Sequence, residues 1–399
     1  MKGNDFYRIT GPIEWAVAPK YFSYSSLTAI ERCPLQWQLA NSSYSSELGS
    51  FPARPTPAAV EGHVVHSILD KLFRALSLIG LPEFGTPVFR ECVGSIDIKK
   101  TVGILVSKHE EKLAQHPRGS GFRLRSTNQQ LTNQVIRLFK NIYSLVATGN
   151  SIPFGLNRTV INAEKYGEDN RNPAKLIDKY KALTEFHLEN DELSFVGIID
   201  LVWEDEGQTI IVDFKTGQKD ENHTKQVSYY AVLWEKATGK IPSRVEVRYP
   251  GGTESLVLSA SLLTEIEGEL SKRISTAANF LSKYPAKINC GDHCNFCDVR
   301  QFCNTYWQDK NLAQIDKNTE KAVIDIELTI TGEPTDYGFE AETNKKETVA
   351  VVYGSSVRKI LGPFNKEDRC RILRASYKKD PLSIELKPWT EVFSGYREK

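Results

Sequence analysis

The sequence predicts an α/β fold in two parts, a longer helix-and-strand domain followed by a β-rich C-terminal domain. With 399 residues, the chain is longer than a typical single domain. Amphipathic helical patterns alternate with apolar, β-branched runs through the longer part. A polar stretch at residues 308–320 separates this part from further strands. We therefore predict domains at residues 1–310 and 320–399.

Helices dominate the beginning of the longer domain. Ser25 or Ser26 can cap a short helix, and residues 62–79 repeat apolar side chains at helical spacing. Residues 98–149 contain two further helical stretches with several basic side chains. These patterns supply the helical half of the predicted fold.

A β-hairpin is predicted after these helices. Residues 193–203 (LSFVGIIDLVW) and 209–215 (TIIVDFK) are rich in β-branched and apolar side chains, and a turn at 204–207 separates them. The remaining predicted elements of this domain are a helix from Gln226, a strand at 244–249 and a helix at 262–284.

Composition limits the class of protein only loosely. The net charge of +1 neither favours nor excludes nucleic acid, because binding needs a local basic face rather than a basic total. No apolar run reaches about 18 residues and the first residues lack a secretory signal, so we expect no membrane span and a cytoplasmic location. Seven cysteines, an odd number, argue against a disulfide framework.

Two carboxylates and a lysine on the hairpin give the strongest chemical signal. Asp213 and Lys215 lie two apart on one strand, so their side chains project to the same face, and the hairpin would bring Asp200 beside them. Two carboxylates can hold Mg²⁺ or Mn²⁺, and a lysine can stabilise negative charge developing on a phosphate. A solvated polar face is the alternative, but Asp213 ends an apolar run, where an unbound carboxylate is costly.

Three polar residues elsewhere could belong to the same site. His66 lies at the edge of the apolar stripe of the 62–79 helix, where a histidine packed into the core is the commoner case. Gln226 and Tyr230 lie four apart and share a helix face, which by itself is weak evidence.

A group of cysteines predicts a second metal centre. The spacing Cys294-x2-Cys297-x5-Cys303 is typical of metal ligands, since a CxxC turn lets two thiolates reach one centre. The residues alone leave the fourth ligand open. The candidates are Cys290, His293 and Cys33.

Taken together, these segments resemble the RecB-type nucleases of the PD-(D/E)xK superfamily, which include CRISPR-associated iron–sulfur members. The matching segments are SYSSLTAIERCP, GHVVH, GIIDLV, IVDFKTG and QVSYY, in the order of the family and within about residues 21–310. The resemblance implies a restriction-endonuclease-like α/β core, with a mixed sheet flanked by helices.

The resemblance also implies roles for individual residues. The implied catalytic set is Asp200, Asp213, Lys215, Gln226 and Tyr230. Mg²⁺ or Mn²⁺ would be held by His66, Asp200 and Asp213, with Lys215 as the catalytic lysine. Gln226 and Tyr230 would support the site or contact nucleic acid, and Glu185 is a candidate accessory acid.

The same resemblance favours an iron–sulfur cluster on the cysteines. Iron–sulfur nucleases of this type use one early cysteine before a proline, as in Cys33–Pro34, and three late ones. The implied ligands of a [4Fe–4S] cluster are Cys33, Cys294, Cys297 and Cys303. Zn²⁺ is the alternative metal, and Cys290 would be either a substitute ligand or a free thiol.

The C-terminal domain is predicted to form a small β-barrel that resembles an OB-fold. The candidate strands are 322–330, 348–353, 369–376 and 382–386. Such barrels stack bases on aromatic side chains, here Tyr353, Tyr377 and Trp389, with arginines nearby. The alternative is that these aromatic residues form the barrel core and the basic residues solvate one face.

The resemblance therefore implies a metal-dependent deoxyribonuclease, with exonuclease activity favoured over endonuclease activity. We expect it to act on single strands or DNA ends, in DNA repair or antiviral defence. The alternative is a non-catalytic nucleic-acid-binding subunit of a helicase–nuclease assembly. The chain has no GxxxxGK[ST] phosphate loop, so a helicase would be a separate partner.

Overall fold

A computed structural model provides the fold. It describes residues 11–44, 50–77, 79, 82–146, 173–180, 182–205, 207–215, 217, 219–249, 251–308, 319–358 and 364–394. Most of the predicted linker, residues 309–318, and the last residues of the predicted C-terminal domain, 395–399, lie outside these ranges.

Seven helices described in this structure precede the first sheet. They are α1 (Tyr24–Arg32), α2 (Pro34–Asn41), α3 (Pro57–Ser77), α4 (Pro87–Ser95), α5 (Ile98–Gln115), α6 (Asn128–Val146) and α7 (Pro173–Tyr180). Ser23 caps α1 by accepting a hydrogen bond from Ser26 N, so the cap stands two residues before the earlier of the two predicted positions. The helix predicted at 62–79 begins earlier, because Pro57 suits a first turn.

A five-stranded mixed sheet follows. Its strands are β1 (Ala182–Asn190), β2 (Phe195–Asp205), β3 (Gln208–Phe214), β4 (Arg244–Tyr249) and β5 (Gly252–Val257), in that spatial order. The β3–β4 pair is parallel and the others are antiparallel. Between and after these strands lie α8 (Glu221–Thr238) and α9 (Ala260–Phe280). The mixed sheet predicted by the resemblance is therefore confirmed.

Helices cover both faces of this sheet. On one face, Ile199 and Ile211 pack with residues of α8 and α9 in one apolar cluster. On the other face, Leu201 and Val212 pack with residues of α3, α5 and α6. The two central strands are therefore buried on both sides, which explains why they read as nearly continuous apolar runs.

A closed β-barrel occupies the C-terminal region. Its strands are β6 (Lys321–Ile330), β7 (Gly338–Thr343), β8 (Thr348–Tyr353), β9 (Arg369–Lys378) and β10 (Ser383–Leu386). The order β10-β8-β7-β6-β9 closes through the β9–β10 pair, and β11 (Glu391–Ser394) adds to β9. The structure is consistent with the predicted OB-like barrel and confirms the fold class. Two short helices, α10 (Asn304–Trp307) and α11 (Ser355–Arg358), complete the described elements.

Several elements were absent from the sequence prediction. They are α2, α4, α7, α10, α11, β1, β5, β7 and β11. β1 (ALTEFHLEN) alternates apolar and polar side chains, a strand signal that the prediction did not use. β7 and β11 are short and lack the apolar runs of the hairpin. The predicted turn at 204–207 is tighter, since β2 continues to Asp205.

The barrel and the longer part of the chain share an apolar cluster. From the longer part it contains Cys33, Leu35, Tyr44, Phe51, Cys297 and Trp307, and from the barrel Leu373 and Phe393. This cluster places the cysteine-rich region at the contact between the two parts. Every helix in the described part of the chain is too short or too polar to cross a bilayer.

Candidate metal and catalytic centre

The central hairpin brings the two predicted carboxylates to the same end of the sheet. The ladder between β2 and β3 ends at the pair Leu201–Val212, and Asp200 and Asp213 lie just beyond it on the two strands. The Phe214 backbone N–H donates a 2.7 Å hydrogen bond to Asp200 Oδ2. The hairpin and this bond therefore bring the two carboxylates together, close enough for the charge of Asp213 to act on Asp200.

Three residues from three elements form a group able to hold a cation. His66 on α3, Glu185 on β1 and Asp200 on β2 place one ligand atom each within 4.8 Å of the others. His66 Nδ1 lies 3.8 Å from Glu185 Oε1. The structure thus joins two of the three predicted ligands and adds the accessory acid Glu185, whereas Asp213 lies outside this group.

Asp213 instead pairs with the predicted catalytic lysine. Asp213 Oδ2 lies 2.8 Å from Lys215 Nζ. Lys215 Nζ also donates to Gln226 Oε1 at 3.1 Å, and Gln226 Nε2 donates to Tyr230 OH at 2.7 Å. Four of the predicted residues therefore form one connected chain from β3 to α8, next to the metal group.

Burial and like charge make this group electrostatically costly without a cation. Burial, assisted by the charge of Asp213, raises the pKa of Asp200 to about 7. Burial also raises the pKa of Asp213, although Lys215 opposes it. Glu185 raises the pKa of His66, partly offset by burial. A hard divalent cation would relieve the repulsion, because it prefers oxygen ligands such as the carboxylates of Glu185 and Asp200, and His66 would add one nitrogen ligand.

Glu185 reaches the site through an unusual backbone conformation. Its φ is 47°, and it stands between the paired residues Thr184 and Phe186, opposite Asp200. A left-handed glutamate costs about 1–3 kcal/mol and persists where the surroundings fix it, commonly at functional sites. The sequence offered only a strand-like alternation around Glu185, which does not reveal this conformation.

His223 is a site residue that the sequence analysis missed. It lies three residues before Gln226 and seven before Tyr230, so all three share one side of α8. Its Nδ1 lies 3.0 Å from Tyr249 OH, and its charge is among the influences that lower the pKa of Asp213 against the larger effect of burial. The helical spacing to Gln226 was the available signal.

Close packing of β2 against α8 fixes Tyr230. Gly197 opens the GIID segment, and a Cβ atom there would lie 2.5 Å from Cε1 of Tyr230. Only a glycine lets the tyrosine ring approach the strand so closely. The glycine of this segment is therefore explained by packing.

The four predicted cluster cysteines line one cavity. It is open to solvent and is lined by Cys33, Cys294, Cys297 and Cys303 together with residues such as Leu35 and Tyr306. Cys290 is exposed and does not line the cavity. The structure thus brings together the four cysteines that the resemblance implied.

Hydrogen bonds explain how Cys33 meets cysteines far along the chain. The Leu35 backbone N–H donates to Lys287 O at 3.2 Å, and Asn289 Nδ2 donates to Arg32 O at 2.9 Å. The buried side chain of Gln38 donates to Lys283 O and accepts from the Ala286 N–H. These bonds tie α2 to the segment before the late cysteines.

The barrel aromatic residues do not form a stacking surface. Tyr353 and Tyr377 are buried in the barrel core. Trp389 is partly buried and packs against Gly121, where an added Cβ atom would lie 3.0 Å from the Cβ of Trp389. The suggestion that Tyr353 and Tyr377 stack on bases is therefore wrong, because their rings fill the barrel interior.

Comparison with known proteins places this geometry in context. Residues 21–304 match the family model of the PD-(D/E)XK nuclease superfamily. One similar solved structure is a murine DNA-binding protein bound with double-stranded DNA, at 9% identity and TM-score 0.18, covering 55% of this chain and 94% of that chain. Another is SSO0001, at 12% identity and TM-score 0.21, covering 62% and 96%. A search of curated proteins finds no significant match.

Proposed function

Since the chain belongs to the PD-(D/E)XK nuclease superfamily, which implies a metal-dependent nuclease, we propose that it hydrolyses phosphodiester bonds in DNA. The observation that carries this proposal is the meeting of two polar groups at one end of the hairpin. One is His66, Glu185 and Asp200, and the other is Asp213 with Lys215. Carboxylates can hold a metal ion beside the phosphate, and a lysine can stabilise the negative charge that develops on the phosphate oxygens during hydrolysis.

Within this proposal, His66, Glu185 and Asp200 hold a Mg²⁺ or Mn²⁺ ion, with Asp213 adjoining. When bound, the cation activates water and offsets charge on the phosphate. Lys215 is held by Asp213 and Gln226 so that its ammonium remains at the carboxylate pair. From there it donates a hydrogen bond to a non-bridging phosphate oxygen, where charge develops.

Gln226 and Tyr230 act as positioning residues for Lys215. The amide of Gln226 accepts from Lys215 and donates to the Tyr230 hydroxyl, so the lysine is oriented by a two-step chain anchored in the core. A long side chain loses conformational entropy when it is held in one position. Because Lys215 is already held in the folded protein, this entropy is lost on folding and does not add to the barrier of the reaction.

We further propose action on single strands or DNA ends, as an exonuclease rather than an endonuclease, in DNA repair or antiviral defence. The support is the resemblance to RecB-type and CRISPR-associated nucleases in the segments from SYSSLTAIERCP to QVSYY. The alternative is a non-catalytic nucleic-acid-binding subunit of a helicase–nuclease assembly. The connected Asp213–Lys215–Gln226–Tyr230 chain favours turnover, because a binding module has no need of it.

We also propose a [4Fe–4S] cluster on Cys33, Cys294, Cys297 and Cys303. The cavity that these four cysteines line supports it. Cys33 occupies the N-cap position of α2, so this helix places the early cysteine at the cavity. Zn²⁺ is the alternative metal.

The decisive experiment measures cleavage of end-labelled single- and double-stranded DNA in Mn²⁺ by anaerobically purified protein. We expect Lys215→Ala to lower the rate by about 100-fold or more, as removal of a stabilising donor does. Lys219→Ala is the matched control, because this exposed lysine lies in the same loop and pairs with Glu254.

Each outcome of this assay separates the two candidate functions. Cleavage by wild type and Lys219→Ala but not by Lys215→Ala supports the nuclease. Mononucleotide products would indicate an exonuclease, and internal fragments an endonuclease. DNA binding without cleavage by wild type, with its iron retained, would overturn the nuclease proposal in favour of the binding subunit.

A further inference from the structure

The segment carrying the last two cluster cysteines lies directly against the barrel. Gln301 lies two residues before Cys303 and Asn304 directly after it, and both accept hydrogen bonds from Arg371 on β9. Arg371 Nη1 donates to Gln301 O at 2.6 Å, and Nη2 donates to Asn304 Oδ1 at 2.9 Å. One guanidinium group of the barrel is therefore hydrogen-bonded to the chain on both sides of Cys303.

Arg371 is itself fixed within the barrel. Its Nε donates to Glu327 Oε1 on β6 at 2.8 Å, and its guanidinium lies 5.4 Å from the centre of the Trp307 ring. The arginine is 1% exposed. A buried guanidinium must keep its hydrogen bonds, because a lost partner leaves charge unsolvated. The position of the Gln301–Asn304 segment is thus tied to the rigid β6–β9 pair.

A second set of contacts links the barrel to Cys297. Asp325 on β6 accepts from Arg300 Nε at 2.6 Å and from Tyr306 OH at 2.7 Å. Arg300 Nη1 in turn donates to the backbone carbonyl of Cys297 at 2.8 Å. Both Cys297 and Cys303 are therefore held through arginines whose charges are neutralised by barrel acids.

These contacts also account for two basic residues of β9. Arg369 and Arg371 pair with Glu327, so they belong to an internal ion-pair network. Arginines bound to the carboxylate of a neighbouring strand are not offered to phosphates. The network points inward, toward the cysteines.

We propose that the barrel serves as a brace for the cysteine-bearing segment, with Arg371 as the positioning residue of the iron–sulfur cluster. The proposal rests on the [4Fe–4S] cluster proposed above. Outer-shell residues that orient ligands commonly govern how firmly a metal centre is retained. The brace gives the C-terminal barrel a function separate from nucleic-acid binding.

The test compares full-length, anaerobically reconstituted wild type with Arg371→Met, Arg371→Lys and Lys378→Met. Iron release into a ferrous chelator and the reduction potential of the cluster are measured. We expect Arg371→Met to release iron about tenfold faster and to shift the potential to more negative values. Arg371→Lys keeps the charge but loses the planar fork, so it should retain the potential while releasing iron faster. Lys378→Met changes an exposed lysine at the end of the same strand and is the control, so it should match wild type in both measurements.

A milder pair of variants guards against loss of folding. Asn304→Ala removes one acceptor of Arg371 at an exposed position, and Thr305→Ala is its exposed neighbour. Faster release from Asn304→Ala but not Thr305→Ala supports the brace. Wild-type release and potential in both Arg371→Met and Asn304→Ala would overturn it while leaving the cluster intact. Wild-type protein that carries no iron or sulfide would instead overturn the cluster itself.

Discussion

Asp200 stands next to Asp213 where water is largely excluded, so ionising both carboxyls without a cation costs free energy. The pKa of Asp200 is raised to about 7 in the folded protein, against 3.8 as its ordinary value. Between these values the folded state keeps a proton that the unfolded state releases. The contribution of Asp200 to stability is therefore full below the lower value and is lost as pH rises through the upper one.

This sign gives a prediction for Asp200→Asn in the presence of a chelator. We expect the variant to be more stable than wild type by about 2 kcal/mol near pH 8 and similar to it near pH 4, since the amide keeps the shape without the charge. Urea unfolding at the two pH values measures the difference. A variant that is less stable than wild type near pH 8 would show that Asp200 ionises there without penalty.

Glu185 should matter for metal affinity although it lies outside the expected ligand set. Glu185→Gln keeps the size of the side chain but removes one charge from the group with His66 and Asp200. We expect Mn²⁺ affinity to fall by about tenfold or more, measured by calorimetry. Glu189→Gln, an exposed change on the same strand, is the control. Equal affinities in the two variants would remove Glu185 from the site.

At the scale of elements, the contact between β2 and α8 determines the position of the hydrogen-bonded residues Lys215, Gln226 and Tyr230. Gly197→Ala would force its Cβ against the Tyr230 ring, displacing the last member of the Lys215–Gln226–Tyr230 chain. We expect a loss of about 1–3 kcal/mol in the free energy of unfolding, as in overpacked cores, together with slower cleavage. Thermal unfolding and the DNA assay measure the two effects.

Gly268→Ala is the matched control for this change. Gly268 is exposed within α9 and has open space around its Cβ position. Alanine there should stabilise the helix by about 0.5–1 kcal/mol and leave cleavage unchanged. Similar behaviour of the two variants would mean that the β2–α8 contact adapts without strain.

At the scale of the whole molecule, a buried carboxylate joins the barrel to the longer part of the chain. Arg118 and Arg54 each donate two hydrogen bonds to Glu391, next to β9. Burial favours the neutral acid, but the two arginines outweigh it and hold the pKa of Glu391 below its usual range. Its stabilising contribution is thus present above the ordinary value of 4.5 and is lost as pH falls through the folded-state pKa.

Glu391→Gln should therefore weaken the contact between the two parts at neutral pH. Leaving two arginines without their carboxylate is expected to cost about 3–5 kcal/mol, and the difference from wild type should shrink in acid. Urea unfolding near pH 7 and near pH 3 tests both statements. Glu385→Gln, an exposed change on β10, should stay within about 0.5 kcal/mol of wild type. A pH-independent difference between Glu391→Gln and wild type would contradict the ion-pair explanation.

The sequence by itself determined the features that depend on neighbours along the chain. The hairpin, the shared face of Asp213 and Lys215, and the shared face of Gln226 and Tyr230 all follow from strand and helix periodicity. The metal-ligand spacing of the late cysteines is equally local.

Only the tertiary structure decided what depends on contacts between distant segments. Glu185 joins the metal group through a left-handed backbone, which the strand-like alternation around it does not reveal. The contact of Lys215 with Gln226 depends on how α8 packs beside β3. Arg371 is buried and holds the cysteine segment rather than facing solvent. Periodicity shows which face of an element is apolar, but long-range packing selects the partner of each polar group, and no local pattern records that choice.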